Sequence, residues 1–233
     1  MDLSDVAVPH TLLNLTSLLP SAPARVLEVG CGRGALAAAL GKLGYDVTGV
    51  DRNADAAAAA RERGVRVIEA DVHEVTGEYD VVLFTRSLHH AEDLDGILAH
   101  CATLGGQLVI EEFAWERVDE AAAEFLYDNR ALLVATGVLD ADTPAEDRLE
   151  FWVAGHEHLH RGAAMLDALE RAGSDLTTVD TAMIWRLVDG RGGEWTAPGT
   201  HASSALDAIR LAEQRRIASG SLPSVGLLAS VRR

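Results

Sequence analysis

Val26-Leu27-Glu28-Val29-Gly30-Cys31-Gly32-Arg33-Gly34 is the stretch from which the fold is read. An apolar run enters alternating glycines, and Ala35–Leu43 follows as an Ala/Leu-rich helical segment. Glycine lets the backbone turn tightly and approach a ligand that a Cβ would hold off. The helix that starts at Ala35 then presents free N–H groups to that ligand.

The flanking sequence repeats the strand-then-helix alternation. Strands are expected at Arg25–Val29, Tyr45–Val50, Val65–Glu69, Tyr79–Phe84 and Gln107–Glu111. Helices are expected at Ala35–Leu43, Ala54–Arg63 and Asp93–Ala102, with Gly44 and Gly64 closing the first two. Tyr79–Phe84 is continuously apolar, as a strand covered on both faces should be. Leu104-Gly105-Gly106 reads as a turn. Such alternation predicts a parallel α/β sheet with right-handed crossovers.

Outside this core, Val8–Leu19 reads as a helix ended by Pro20 and Pro23. Further helices are expected at Val118–Thr136, Ala163–Ala172 and His201–Ser219. The acidic stretch Asp140–Glu150 reads as a loop or lid. Leu176–Val188 should contain a strand, and Val225–Val231 should be the last one.

Alternating glycines alone do not choose a ligand. Gly30-x-Gly32-x-x-Ala35 also satisfies the dinucleotide pattern with alanine in third place. The third glycine at position 34 gives Gly-x-Gly-x-Gly instead. Glu28, two residues before the first glycine, is a poor neighbour for a pyrophosphate and a suitable one for an ammonium group. Asp51, after the strand that ends at Val50, is spaced to accept hydrogen bonds from ribose hydroxyls, a role common to both ligand types. Asp71 follows the next strand, where its carboxylate and the Val72 N–H can meet an adenine edge.

With these markers in place, the chain resembles class I S-adenosylmethionine-dependent methyltransferases, most of all the small-molecule branch called the methyltransferase-11 type. The resemblance rests on Glu28-x-Gly30-x-Gly32-x-Gly34, Val47–Asp51, Glu69-Ala70-Asp71-Val72, Tyr79–Phe84, Ser87-Leu88-His89-His90 and Leu104–Glu111. It covers about Arg25 to Glu112, beyond which Leu159–Ala172 and Val225–Val231 agree only in order. It implies a Rossmann-like, doubly wound seven-stranded sheet, mostly parallel with an antiparallel last strand. All 233 residues then form one domain, with a cofactor core at about 25–112, substrate or lid elements at about 113–160, and C-terminal strands and helices at 161–233. It implies S-adenosyl-L-methionine as cofactor and S-adenosyl-L-homocysteine as product. Glu28, Gly30, Cys31, Gly32, Gly34, Asp51, Arg52, Asp71, Val72 and Thr85 would hold them. Arg33 stands where the family has a small polar residue, and is expected to point to solvent.

Methyl transfer from a sulfonium is an in-line displacement, so alignment and exclusion of water matter most. A base is needed only where the accepting oxygen, nitrogen or carbon must lose a proton. His89 and His90, beyond the strand ending at Phe84, are candidates by position, although histidine there can simply hold the loop. Glu112 and Glu111 end the next strand and can meet a cationic substrate or act as base. The plainer alternative is a polar pair at a strand terminus. Phe113, Trp115, Phe125, Tyr127, Phe151 and Trp152 concentrate aromatics that make up 5% of the chain, which suggests a substrate pocket or ordinary helix packing. His156, His158 and His160 would share one face if extended, but no cysteine or paired carboxylates complete a metal set. His158 and His160 are instead grouped with the pocket, and no metal is expected.

A formal net charge of -16, from 20 Lys and Arg against 36 Asp and Glu, disfavours a nucleic-acid partner. The apolar share of 48% fits a folded core. Two cysteines build no disulfide framework, which suits the cytoplasm. Met1–Leu19 lacks a basic start and does not read as a signal peptide, and no apolar run reaches the roughly 20 residues a membrane helix needs. The expected partner is a small-molecule methyl acceptor. Two rivals stay open: a nicotinamide-dependent oxidoreductase, and a non-catalytic scaffold on the same fold.

Overall fold

A computed structural model describes residues 3–144, 146–189, 193–196 and 199–233, with the side chains of Leu3 and Ser4 left out. Positions 1, 2 and 145, within the stretches expected to be a non-signal N-terminus and an acidic loop, lie outside the described residues. The chain divides into two compact units, one of residues 7–112, 160–179 and 227–233, the other of 1–6, 113–159 and 180–226.

The first unit carries the sheet. Its strands are β1 (Arg25–Val29), β2 (Asp46–Asp51), β3 (Arg66–Glu69), β4 (Tyr79–Thr85) and β5 (Gly105–Phe113), with β7 (Ser174–Thr181) and β9 (Gly226–Arg232). β6 (Leu139–Asp140) and β8 (Glu194–Trp195) form a separate antiparallel pair in the second unit. The seven-stranded order is β3-β2-β1-β4-β5-β9-β7, and β1 to β5 pair in parallel. β9 runs against β5: the Arg233 N–H donates to the Gly106 carbonyl (3.0 Å), and the Ala114 N–H to the Val225 carbonyl (2.8 Å). The last strand is thus antiparallel, as expected, and it lies next to the edge, between β5 and β7.

Alternation sorts the apolar residues of each strand onto two faces. Val82 and Phe84 of β4 join Leu27, Leu108, Ile110 and Leu227 in one core cluster, with Leu98 of α4 (Leu94–Leu104) and Met165 of α7 (Gly162–Ala172). Val81 and Leu83 join Val26, Val109 and Leu228 in the other, with Leu15 of α1 (Leu3–Leu15) and Leu36 and Leu40 of α2 (Ala35–Lys42). The continuous apolar run of β4 therefore serves both faces.

Gly34 sits between β1 and α2 with φ +74°, and a Cβ there would lie 2.7 Å from the Ala60 Cβ of α3 (Ala54–Glu62). Left-handed backbone and overpacking add, so Gly34→Ala is expected to cost about 3 kcal/mol. Urea unfolding checks this; a loss under about 1 kcal/mol would mean that α3 moves aside freely.

The second unit holds α5 (Glu120–Ala135), α6 (Arg148–His156) and α8 (Gly199–Ala218). Arg148 bridges α6 to Glu124 and Asp128 of α5. Buried Glu213 of α8 accepts the N–H groups of Met183, Ile184 and Trp185, each at 2.8 Å.

The structure shifts several of the sequence expectations. α1 begins five residues before Val8 and carries Pro9 inside it. Gly105 and Gly106 are not a turn: α4 passes directly into β5, and a Cβ on Gly105 would lie 2.8 Å from Val82. The expected acidic loop is shortened by β6 at one end and α6 at the other. His156 closes α6, so the three histidines are not extended and do not share a strand face.

Candidate functional site

A cavity of about 440 Å³ opens where β1, β2 and β4 end, the expected place for a ligand in an open α/β sheet. Gly30, Asp51, Asp71 and Val72 line it, and Arg52, Arg86 and His90 add cationic or titratable groups.

The glycines of the loop do different things. Gly30 has φ +71°, and a Cβ on it would meet the Ser87 Cβ at 2.6 Å. The Ser87 hydroxyl donates to the Val29 carbonyl (2.7 Å), which closes the β4 loop over the β1 turn. Gly32 has nothing within 4 Å of its missing Cβ. Gly34 faces α3 rather than the cavity. Cys31 is buried, and a Cβ on Gly49 would meet its Sγ at 2.6 Å. Burial pushes the Cys31 thiol up to about 12, with Glu28 and Asp51 adding to the effect, so it packs as a small thiol. Arg33 is exposed, as expected.

Asp51 holds the loop from the end of β2. Its Oδ2 accepts the Gly32 N–H (2.8 Å) and its Oδ1 the Asn53 N–H (2.9 Å). Each oxygen keeps a second lone pair for a ligand. Asp71 Oδ1 accepts the His73 N–H (3.0 Å) and caps the short turn Val72–Glu74. Arg52 and Glu92, both on the cavity wall, pair loosely at 3.9 Å.

Glu28 is the unusual group. It is 2% exposed, the Thr85 hydroxyl donates to its Oε1 (3.2 Å), and its Oε2 has no partner among the described residues. Burial pushes its carboxyl up to about 8, against the pull of Thr85, the Arg86 cation and the Ala37 N–H.

Glu112 requires a correction. Rather than lining a substrate pocket, it is fully buried: Oε1 accepts the Leu88 N–H (2.7 Å) and Oε2 contacts His89 Nδ1 (2.7 Å). Its neighbour Glu111 is also buried, taking the Thr11 hydroxyl (2.9 Å) and the Asn14 amide (3.0 Å) of α1. His89 is therefore enclosed, while His90, its ring 4.1 Å from that of His89, lines the cavity. His160 is tied to the same loop: its N–H donates to the His89 carbonyl (3.1 Å), and its Nε2 lies 2.8 Å from the Ala91 carbonyl.

The aromatic candidates belong to the interior of the second unit. Trp152 Nε1 donates to the Trp115 carbonyl (2.9 Å) and Trp115 Nε1 to the Leu159 carbonyl (3.2 Å), so both indoles are committed to backbone. Trp152 stacks on His156 at 3.7 Å, Phe113 meets both edge-on, and Phe125 and Tyr127 are buried. Phe151 is half exposed and His158 exposed. Among the described residues, no group of three or more His, Cys, Asp or Glu is placed to hold a metal ion. Sequence reading missed Arg86, Ser87 and His73 on the cavity wall. His73 and Arg86 adjoin the expected Val72 and Thr85, and Ser87 opens the Ser87–His90 motif, so neighbouring positions are the signal available for all three.

Residues 7–179 match the family described as Methyltransferase domain. Over 115 residues the chain is 35% identical to the ubiquinone biosynthesis O-methyltransferase of Xanthomonas axonopodis pv. citri, covering 44% of this chain and 48% of that one. Over 90 residues it is 38% identical to the Bordetella avium enzyme of the same name, covering 34% and 37%. The chain spans less than half the length of these curated relatives. Among solved structures, an S-adenosylmethionine-dependent methyltransferase from Mesorhizobium loti covers 98% of both chains with a TM-score of 0.58 at 18% identity. The geranyl diphosphate C-methyltransferase of Streptomyces coelicolor gives 0.58 at 16% identity, covering 97% of this chain and 79% of that one. At such identities these two likenesses speak for the fold alone. The match over residues 7–179 places this chain in the methyltransferase domain family, and its fold is that of the class I, S-adenosylmethionine-dependent members.

Proposed function

We propose that this protein transfers a methyl group from S-adenosyl-L-methionine to an oxygen, nitrogen or carbon atom of a small molecule, and releases S-adenosyl-L-homocysteine. The observation that carries the reading is the cavity wall itself. Gly30, Asp51, Asp71 and Val72 share that wall, which supports a ribose at Asp51 and an adenine at Asp71–Val72, while the half-satisfied Glu28 lies buried behind the wall, two residues before Gly30. The fit is chemical: a sulfonium with an ammonium group is cationic, and the wall also carries Glu92 and Asp93. When bound, the cofactor supplies an electrophilic methyl group. Gly30 and Gly32 let the backbone come close, Asp51 orients the ribose, and Val72 offers an apolar surface to the base. Glu28, with Thr85 donating to it, receives the ammonium group. His90 is the candidate base for an acceptor that must lose a proton, held through the loop that Glu112 and His89 fix. In this reading all 233 residues form one methyltransferase domain, with the cofactor carried by residues 25–112.

The charge of -16 supports a small-molecule acceptor over nucleic acid. No helix among the described residues is long and apolar enough to cross a membrane. Cytoplasmic residence is part of the proposal, supported by two buried, free cysteines.

A thermal-shift titration with S-adenosylhomocysteine beside NAD tests the cofactor. At a hundredfold excess over the dissociation constant, the expected gain is about 2.7 kcal/mol, or roughly 5–10 °C for a chain of this size. A shift with NAD alone, or with neither ligand, would overturn the reading.

Glu28 adds a pH dependence. Between its ordinary 4.5 and about 8, the unfolded chain has lost this proton while the folded one keeps it. Stability of the ligand-free protein should therefore fall as pH rises through that window. A bound ammonium group reverses the preference and draws the proton off. Affinity for S-adenosylhomocysteine should then rise by up to about tenfold per pH unit between roughly pH 6 and 8, and level above. Calorimetry in two buffers of different ionisation heat should count about one proton released at about pH 7, and none for Glu28→Gln. Equal proton counts in the two proteins would remove Glu28 from the ammonium site.

A further inference from the structure

We infer that Arg86 is a recognition residue for the carboxylate of the cofactor's amino-acid end, so that Glu28 and Arg86 together form a receptor for an α-amino-acid head group. This rests on the proposed cofactor and extends its site to a residue that the glycine, Asp51 and Asp71 markers do not include. Arg86 lines the cavity at the end of β4, next to Thr85, which donates to Glu28. Glu28 itself is buried behind the wall, reached through its hydrogen bond with Thr85, and the Arg86 cation pulls its carboxyl down against burial. An α-amino acid carries its ammonium and carboxylate on one carbon. A neighbouring acid and cation with the acid half-satisfied is the complementary pair.

The other cavity-wall charges point the same way. Asp51, Asp71, Glu92 and Asp93 repel a carboxylate and leave the β4 end as its favourable place. Arg52 follows Asp51 at the end of β2 and pairs with Glu92, so it sits on the ribose side. Arginine suits the task because its planar fork matches a carboxylate with two hydrogen bonds.

The backbone adds a second observation. Arg86 has φ +55°, a left-handed conformation in which glycine would be free of steric cost. Its N–H donates to the Glu111 carbonyl (2.8 Å), which holds it there. A long cationic side chain in that conformation carries a backbone cost, as residues at functional sites often do.

The experiment compares two ligands by calorimetry. One is S-adenosylhomocysteine; the other is its decarboxylated analogue, with an aminopropyl in place of the aminocarboxypropyl group. Wild type should bind the first more tightly. Arg86→Gln should weaken it by roughly tenfold to a hundredfold, while the analogue stays within about twofold. Arg86→Gly should show the same loss with a thermal midpoint unchanged or raised, which separates lost recognition from lost folding. Arg86→Lys should recover part of the affinity. Equal weakening of both ligands would mean that Arg86 serves only to offset Glu28, and no weakening of either would place it outside the site; both results overturn the inference. Failure of wild type to bind either ligand would instead overturn the cofactor reading, and this inference with it.

Discussion

Glu213→Ala is expected to destabilise the protein by roughly 3–5 kcal/mol, a larger loss than Gly34→Ala should cause. The side chain is fully buried on α8 and satisfies three consecutive N–H groups at the short turn Ile184–Arg186. Burial raises its carboxyl above the ordinary value, while the three N–H groups pull it down. Alanine leaves three donors without an acceptor inside the second unit, where water does not readily replace one. Glutamine keeps the size but turns an amino group toward at least one of those donors, so about half the loss should remain. Urea unfolding followed by tryptophan fluorescence measures this, since Trp185 lies within the turn itself. A loss below about 1 kcal/mol would show that the turn finds other acceptors.

The second large effect is on binding. Asp51→Ala should weaken S-adenosylhomocysteine by about a hundredfold, the equivalent of two charge-assisted hydrogen bonds to ribose. The carboxylate also holds the Gly32 and Asn53 N–H groups, so its loss loosens the glycine turn as well. Adenosine retains the ribose and should suffer the same proportional loss, whereas Arg86 variants should leave adenosine unchanged. A loss confined to S-adenosylhomocysteine would move Asp51 away from the ribose.

Local chemistry explains which parts of the molecule are readable from the chain. The glycine turn and Asp51 lie at the ends of strands with buried apolar cores, and Asp71 follows a short strand, Arg66–Glu69, whose place comes from the α/β alternation rather than from its own patterning. The same patterning places Glu112 on β5 but misleads about its role, because its partners Leu88 and His89 lie on another loop, and sequence spacing carries no record of that contact. Trp115 and Trp152 mislead for a related reason: their indole partners are backbone carbonyls, which every residue possesses. The second half is harder still. β7 is a polar edge strand, exposed at most positions, so it lacks the alternation that reveals a strand. Arg86 follows the expected Thr85, yet its place on the cavity wall is not legible, since a positive φ at arginine leaves no mark in composition or spacing.

Glu111 and Glu112 have a consequence for how this protein tolerates change in length. As consecutive strand residues they face opposite sides of the sheet, one tying down α1 and the other the loop bearing His89 and His90. One added or deleted residue within β5 would turn each carboxylate to the wrong side, releasing two segments at once and burying two charges without partners. Substitutions along β5 can be absorbed one contact at a time, but an insertion or deletion there has no partial outcome. Libraries that vary loop length in this protein should leave residues 105–112 at their present count.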